Sequence, residues 1–295
     1  MKNYFSMQDT DADLPEILLL DRTTGKNIIW ATNAYEKFSA QNEITCDVLN
    51  ENIIQPRFMK SEQLKKIRVR EKAEIFTPSW LCNEQNNLID EVWFGRSNVF
   101  NKIVDAQNHI WQATSEKIIF DGGRTWQNYV ESNRIEITCG EAPYLVSRYD
   151  TVSGEIIPLE NRIGLLDRKF RVIFENTSTE SEWLEWSRKA VQSIYGYEFQ
   201  GDNLFLARKN IFDSCVDYFK KRFDEMPDKN FSAEIAEIIS WNLWQMDGLT
   251  NTIPYAKVEI NLFDENFVDN VYCLIKDWKK NKILQFKNIL ESGRR

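Results

Sequence analysis

The stretch "SIYGYEFQGDNLFLARKNIF", residues 193–212, sets a short apolar run, ending in Gly196 and Glu198, directly against a helix-like segment. A strand that hands over at once to a helix is the repeating unit of a parallel sheet covered by helices. The flanking sequence continues the alternation. Short apolar runs at "RIEIT" (134–138) and "RIGLLD" (162–167) alternate with helix candidates at "PYLVSRY" (143–149), "EWLEWSRKAVQ" (182–192), "NLFLARKNIFDSCVDYFKKRF" (203–223) and "SAEIAEIISWNLWQM" (232–246). An α/β fold with helices on both faces of its sheet is therefore expected.

Ligands of open parallel sheets bind outside the carboxyl ends of the strands, where a crossover turn needs small residues. "RIEITCGEAPYLVSRYD" (134–150) fits, with Glu136 near the end of a strand, Thr138, Cys139 and Gly140 in the turn, and Pro143 opening the next element. Glu198 ends the following strand. A carboxylate there accepts two donors at once and suits the hydroxyls of a ribose. Upstream, "KAEIFTPSWLCNEQNN" (72–87) makes Thr77 and Pro78 a rigid opening to a helix, with Phe76 free to pack on a flat ligand; an ordinary helix start explains the same residues.

The 295-residue chain, 42% hydrophobic and 13% aromatic, can bury a substantial core. Its five dispersed cysteines contain no C-x-x-C pair, and His109 is its single histidine, so neither a disulfide framework nor a zinc site is expected. No signal peptide is read at the N-terminus and no apolar run nears the ~20 residues of a membrane span, which points to the cytoplasm. A net charge of −8 argues against gripping nucleic acid through the whole surface. Lys60, Lys65, Lys66, Arg68, Arg70 and Lys72 form a local exception, read as a solvated helix face or as a phosphate contact. Residues 1–70 read as an N-terminal region with two strands around "RTTGKN" and a helix near "ATNAYEKFSAQN". Trp80, Trp93, Trp111 and Trp126 read as core rather than as an aromatic cage.

Three segments carry a resemblance. "KAEIFTP" resembles the "FTP" segment that opens the catalytic region of N6-adenine DNA methyltransferases, the type I modification-subunit and Eco57I-like kind. "IEITCGEAP" is similar to their first motif and "SIYGYEFQGDNLFLARKNIF" to their second, in the same order, over about residues 70–255. The resemblance implies a Rossmann-like fold over residues 71–295 that binds S-adenosylmethionine. Phe76, Thr77 and Pro78 would border the methionine end. Glu136, Cys139 and Gly140 would line the methionine and sugar, Glu198 would hold the ribose, and Asp247 in "WQMDGL" would stand for the third motif.

Two departures qualify it. Ala142, followed by Pro143, replaces the family's second glycine. The Asn-Pro-Pro-Tyr loop that orients the acceptor amine does not occur. The nearest string, "NTIPYA", makes Asn251, Pro254 and Tyr255 the catalytic candidates of a degenerate loop, but two residues separate Asn251 from the Pro-Tyr pair, a spacing that moves the side chain by several Å. The resemblance thus implies a split enzyme, in which this chain binds the cofactor and a second methyltransferase or specificity subunit brings the catalytic loop and double-stranded DNA recognition. The alternative is a non-catalytic binding or regulatory module of the same fold.

Overall fold

The computed structural model describes residues 13–256 and 271–292; the first twelve residues of the expected N-terminal region lie outside them. The N-terminal part carries α1 (Leu14–Leu19), α2 (Cys46–Asn50), α3 (Glu62–Lys72) and α4 (Ser79–Phe94), then a hairpin of β1 (Asn101–Asp105) and β2 (Ile110–Ala113). After α5 (Trp126–Val130) come β3 (Arg134–Ile137), α6 (Leu165–Asn176), α7 (Glu180–Gln192) and β4 (Ile194–Glu198). The chain continues through α8 (Gly201–Phe223), α9 (Lys229–Asn242) and β5 (Leu243–Gln245) to a hairpin of β6 (Leu274–Asp277) and β7 (Lys282–Gln285), and then α10 (Phe286–Ser292).

β3, β4 and β5 form a three-stranded parallel sheet in chain order, with Glu136 beside Gly196 and Glu198 beside Gln245. The fold is mixed α/β. Among the described residues, however, helices do not cover both faces. Right-handed crossovers between strands added in one direction land on one side of a sheet, and a doubly wound arrangement needs the order to reverse. No reversal occurs within β3-β4-β5. On the helical face, Ile194 and Leu243 join a core built largely by α6, α7, α8 and α9. On the opposite face, Tyr197 and Trp244 pack with Ile275 and Phe286 from the β6–β7 hairpin and the start of α10. That cover stops short of β3, where Ile135 and Ile137 remain exposed.

Several local expectations are corrected. "EILLL" is the helix α1, because Pro15 suits a first turn and Leu14 and Leu18, one turn apart, both face the core. Of the expected strand pair only the single bridge Leu20 to Asn27 remains, and Ile29 bridges Glu43 instead. Residues 31–42 form a closed loop instead of a helix. The amides of Trp30 and Ala31 donate to the carbonyls of Asn42 and Ala40, and the Trp30 ring stacks on Phe38. "PYLVSRY" is a turn, because the Tyr144 and Leu145 carbonyls accept from Leu165 and Leu166 at the start of α6. "RIGLLD" accordingly opens α6, where Asp167 Oδ2 accepts from the Gly164 amide. The last expected helix ends at Asn242, whose side chain donates to the Val191 and Ile194 carbonyls, and "LWQ" becomes β5.

Residues 13–70 share the main core through Leu18, Leu19, Ile28 and Trp30. Arg208 of α8 donates to the Leu18 and Leu20 carbonyls, and the Gly201 amide donates to the Trp30 carbonyl. A Cβ on Gly201 would stand 2.0 Å from the Ile29 carbonyl oxygen, so the glycine after "YEFQ" is fixed by close backbone approach. Among the described residues no helix is long and apolar enough to cross a membrane, and no cluster of three metal-ligating side chains occurs.

Candidate functional site

A cavity of about 300 Å³ opens at the carboxyl ends of β3 and β4. Glu136, Cys139, Gly140, Glu198, Phe76 and Thr77 all line it, so three segments far apart in sequence meet there. The parallel pairing of β3 and β4 is the cause, since it sends the turn after β3 and the end of β4 to the same edge.

Glu198 is buried and ties these segments together. Its Oε2 accepts from the Gly140 amide at 2.9 Å, and its Oε1 from the Gln200 amide at 3.0 Å. Burial lifts its pKa above the ordinary carboxylate range, against the pull of those two amides. Burial raises Glu136 still further, although its oxygens accept from the Tyr144 and Leu145 amides. A third carboxylate, Glu74, behaves in the opposite way. Burial pushes it up, but the charges of Lys60 and Arg68 outweigh burial and hold it below the usual range.

The backbone of the turn is strained. Thr138, Gly140 and Ala142 have φ of 50°, 53° and 63°, and a β-branched residue rarely adopts that region. Ala142 thus takes up a conformation that a glycine would hold at less cost. Strain that persists in a turn beside a cavity is a common property of binding sites. A Cβ on Gly140 would meet the Phe76 ring at 3.2 Å, so the ring lies directly on the turn. Replacing exposed Thr138 with glycine is expected to stabilise the chain by about 0.5–1 kcal/mol, because relief of the left-handed strain exceeds the added entropy of the unfolded state. Thermal unfolding measures this, and a lower midpoint would contradict the assigned strain.

Supporting the cavity is a buried ion cluster. Arg68 donates to Glu74 at 2.6 Å and to Asp202 at 3.0 Å, and Lys60 reaches Asp202 at 3.3 Å and Asn203 at 3.1 Å. Tyr35 also donates to Asp202, and Gln200 and Asn203 both donate to Glu74. The basic run at 60–72 is therefore not a free cationic face. Lys60 and Arg68 are buried, Lys65 and Arg70 pair with Glu62 and Glu71, and the Lys72 ammonium sits 4.6 Å from the Phe199 ring centroid.

The remaining predicted residues lie apart. Pro78 caps the start of α4 without lining the cavity. Asp247 closes its own turn, accepting from the Leu249 amide and bridging Thr252. Asn251 has a left-handed backbone and exchanges main-chain hydrogen bonds with Asp247 and Cys273. Pro254 is buried, and only Tyr255 of these three approaches the site, with its ring edge-to-face on Phe199 at 5.5 Å. The Cys139 thiol is buried and pushed well above its ordinary pKa, first by burial and then by Glu136 and Glu198.

Sequence reading missed Glu74, Phe199, Gln200 and Lys72 at the cavity. The Gln200 side chain lines the cavity and donates to Glu74, while its Oε1 is buried with no hydrogen-bond partner. No protein-family model, curated protein or solved structure matches the chain.

Proposed function

We propose that this chain is the S-adenosylmethionine-binding subunit of a split DNA adenine-N6 methyltransferase of a restriction-modification or phage-defence system, acting in the cytoplasm with a partner chain. Its sheet is then the cofactor-side part of a Rossmann-like methyltransferase fold. The observation that carries the reading is the convergence of Phe76, Gly140 and Glu198 on one cavity at the strand ends. Two facts support the fit to this cofactor. Buried Glu198 offers a carboxyl group at the strand end that can accept ribose hydroxyls. Phe76 and Phe199 offer flat apolar walls.

In this reading Glu198 accepts from the ribose hydroxyls, giving up part of its hold on the Gly140 and Gln200 amides. Glu136 keeps the turn closed through the Tyr144 and Leu145 amides. Phe76 and the "TCG" turn border the methionine end. Bound there, the cofactor supplies an electrophilic methyl group. The acceptor adenine, and the loop that orients its amine, are assigned to the partner, because "NTIPYA" has the wrong spacing and Asn251 does not line the cavity.

The purified chain is expected to transfer no methyl groups to DNA by itself, and to do so once the partner subunit is added. Transfer of labelled methyl groups to duplex DNA measures this. Activity of the isolated chain would remove the split-enzyme reading. Failure to bind the cofactor with or without the partner would leave the non-catalytic module, a reading that Ala142 in the glycine position favours.

A further inference from the structure

Positive charge gathers on the β6–β7 hairpin. Residues 276–292 hold five lysines against two acids, within a chain whose net charge is −8. The pairing of Asp277 with Lys282 leaves Trp278, Lys279, Lys280 and Asn281 as the turn, and Asn281, with φ of 49°, supplies a left-handed residue there. Lys279, Lys280 and Lys282 stand exposed at this one tip.

A groove of about 730 Å³ runs from the hairpin to the amino ends of β3 and β4. It shares no lining residue with the cavity at their carboxyl ends. Lys189, Lys276, Lys279 and Lys280 line it against Glu131 and Asp277.

Few of these charges are neutralised. Lys280 reaches Asp277 at 3.7 Å and Lys189 pairs with Glu185, and water-exposed pairs of this kind are weak. Lys276 and Lys287 rest on rings instead, 4.1 Å from the Trp278 centroid and 4.2 Å from that of Tyr272. A ring steadies an ammonium without cancelling its charge. Among the described residues, Lys279 and Lys282 have no carboxylate within ion-pair distance.

Lysines spread over a turn, a strand and a helix call for a ligand with repeated negative charge. Flexible ammonium groups suit phosphates, which they meet as point charges. Bases find no open stacking platform here. Trp278 carries Lys276 on its ring and donates its Nε1–H to Asn242, and the Tyr195 hydroxyl donates to the Lys276 carbonyl. Contact with a nucleic-acid backbone, without base readout, is the mode that fits.

We propose that the β6–β7 hairpin is a sequence-independent contact for the phosphate backbone of duplex DNA, made by Lys279, Lys280 and Lys282. That the polyanion is DNA rests on the methyltransferase reading above. The contact lies away from the cofactor cavity, so it holds the duplex and leaves sequence recognition to the partner chain.

Fluorescence anisotropy of the full chain with a labelled, mixed-sequence duplex of about 20 bp, without cofactor and between about 50 and 200 mM salt, tests this. Micromolar binding is expected, with log affinity falling against log salt at a slope of about −3. Lys279→Ala, Lys280→Ala and Lys282→Ala in one chain are expected to weaken it tenfold or more and to remove about three units of that slope. Lys65→Ala, Lys66→Ala and Arg70→Ala together take the same charge from α3 and are expected to change affinity less than twofold. The salt slope of the unmodified chain needs no variant to fold. No binding at about 100 μM protein, a slope near zero, or equal loss in the two triple variants overturns the proposal. Tighter binding of polyglutamate overturns it in favour of an acidic protein partner, and tighter binding of single-stranded DNA overturns the duplex assignment. S-adenosylmethionine binding, measured separately, is expected to survive in the hairpin variant, so a failure at the hairpin and a failure at the cofactor cavity are told apart.

Discussion

Replacing Arg68 with methionine is expected to lower the stability of the fold by about 3–5 kcal/mol, the usual result of removing one partner from a buried ion pair. Arg68 is fully buried and satisfies two carboxylates, Glu74 and Asp202. Without it, the one cation paired with Asp202 is Lys60 and the one paired with Glu74 the more exposed Arg57, the neutral donors Tyr35, Gln200 and Asn203 remaining, while desolvation of both acids is unchanged. Denaturant unfolding measures the loss, and Arg68→Met with Asp202→Asn in one chain is expected to recover part of it. The pH dependence follows from the direction of the shifts. Burial pushes Asp202 up, but Arg68 and Lys60 dominate and hold its carboxyl well below the usual range; Glu74 is held down by Lys60 and Arg68. The stability these acids contribute is present above their ordinary values, about 3.9–4.3, and is lost as the pH falls below them. Arg68→Met is therefore expected to flatten the acid limb of the stability curve, and an unchanged limb would show that Arg68 does not set those ionisations.

Glu198→Ala is expected to weaken S-adenosylmethionine binding on the order of 1.5–3 kcal/mol, roughly ten- to 150-fold. Two effects combine in this value. The carboxylate is the ribose acceptor in the proposed complex, and it also fixes the Gly140 and Gln200 amides at the cavity wall. Because burial raises the pKa of free Glu198, and donors bind its charged form, affinity is expected to fall as the pH drops through that raised value. Glu198→Gln keeps the shape and reduces the dependence. Calorimetry between pH 5 and pH 8 separates the two, and unchanged affinity in Glu198→Ala removes the acidic motif from the site.

What the sequence disclosed was the arrangement of local signals. The strand-to-helix handover at 193–212 and the "RIEI" strand are both present, and parallel pairing brings their ends together as the α/β pattern requires. Phe76 reached the same cavity from a segment whose helical start at Ser79 was also legible. Failures arose where long-range contacts overrode local propensity. "PYLVSRY" has helical composition, yet its carbonyls serve the start of α6. "ATNAYEKFSAQN" closes as a loop around stacked Trp30 and Phe38. The run at 60–72 reads as a surface helix, but Arg68 turns inward to Asp202, 134 positions later, a pairing that no periodicity encodes. Glu74 and Gln200 were missed for the same reason, although Gln200 sits two residues from Glu198.

Hydrogen exchange of the purified chain, with and without saturating S-adenosylmethionine, tests the central assignment most directly. Slowed exchange is predicted in the segments 74–77, 136–145 and 198–203, which carry the residues that line the cavity. Protection confined to other segments, or none at saturation, contradicts a cofactor held between the turn after β3 and the end of β4.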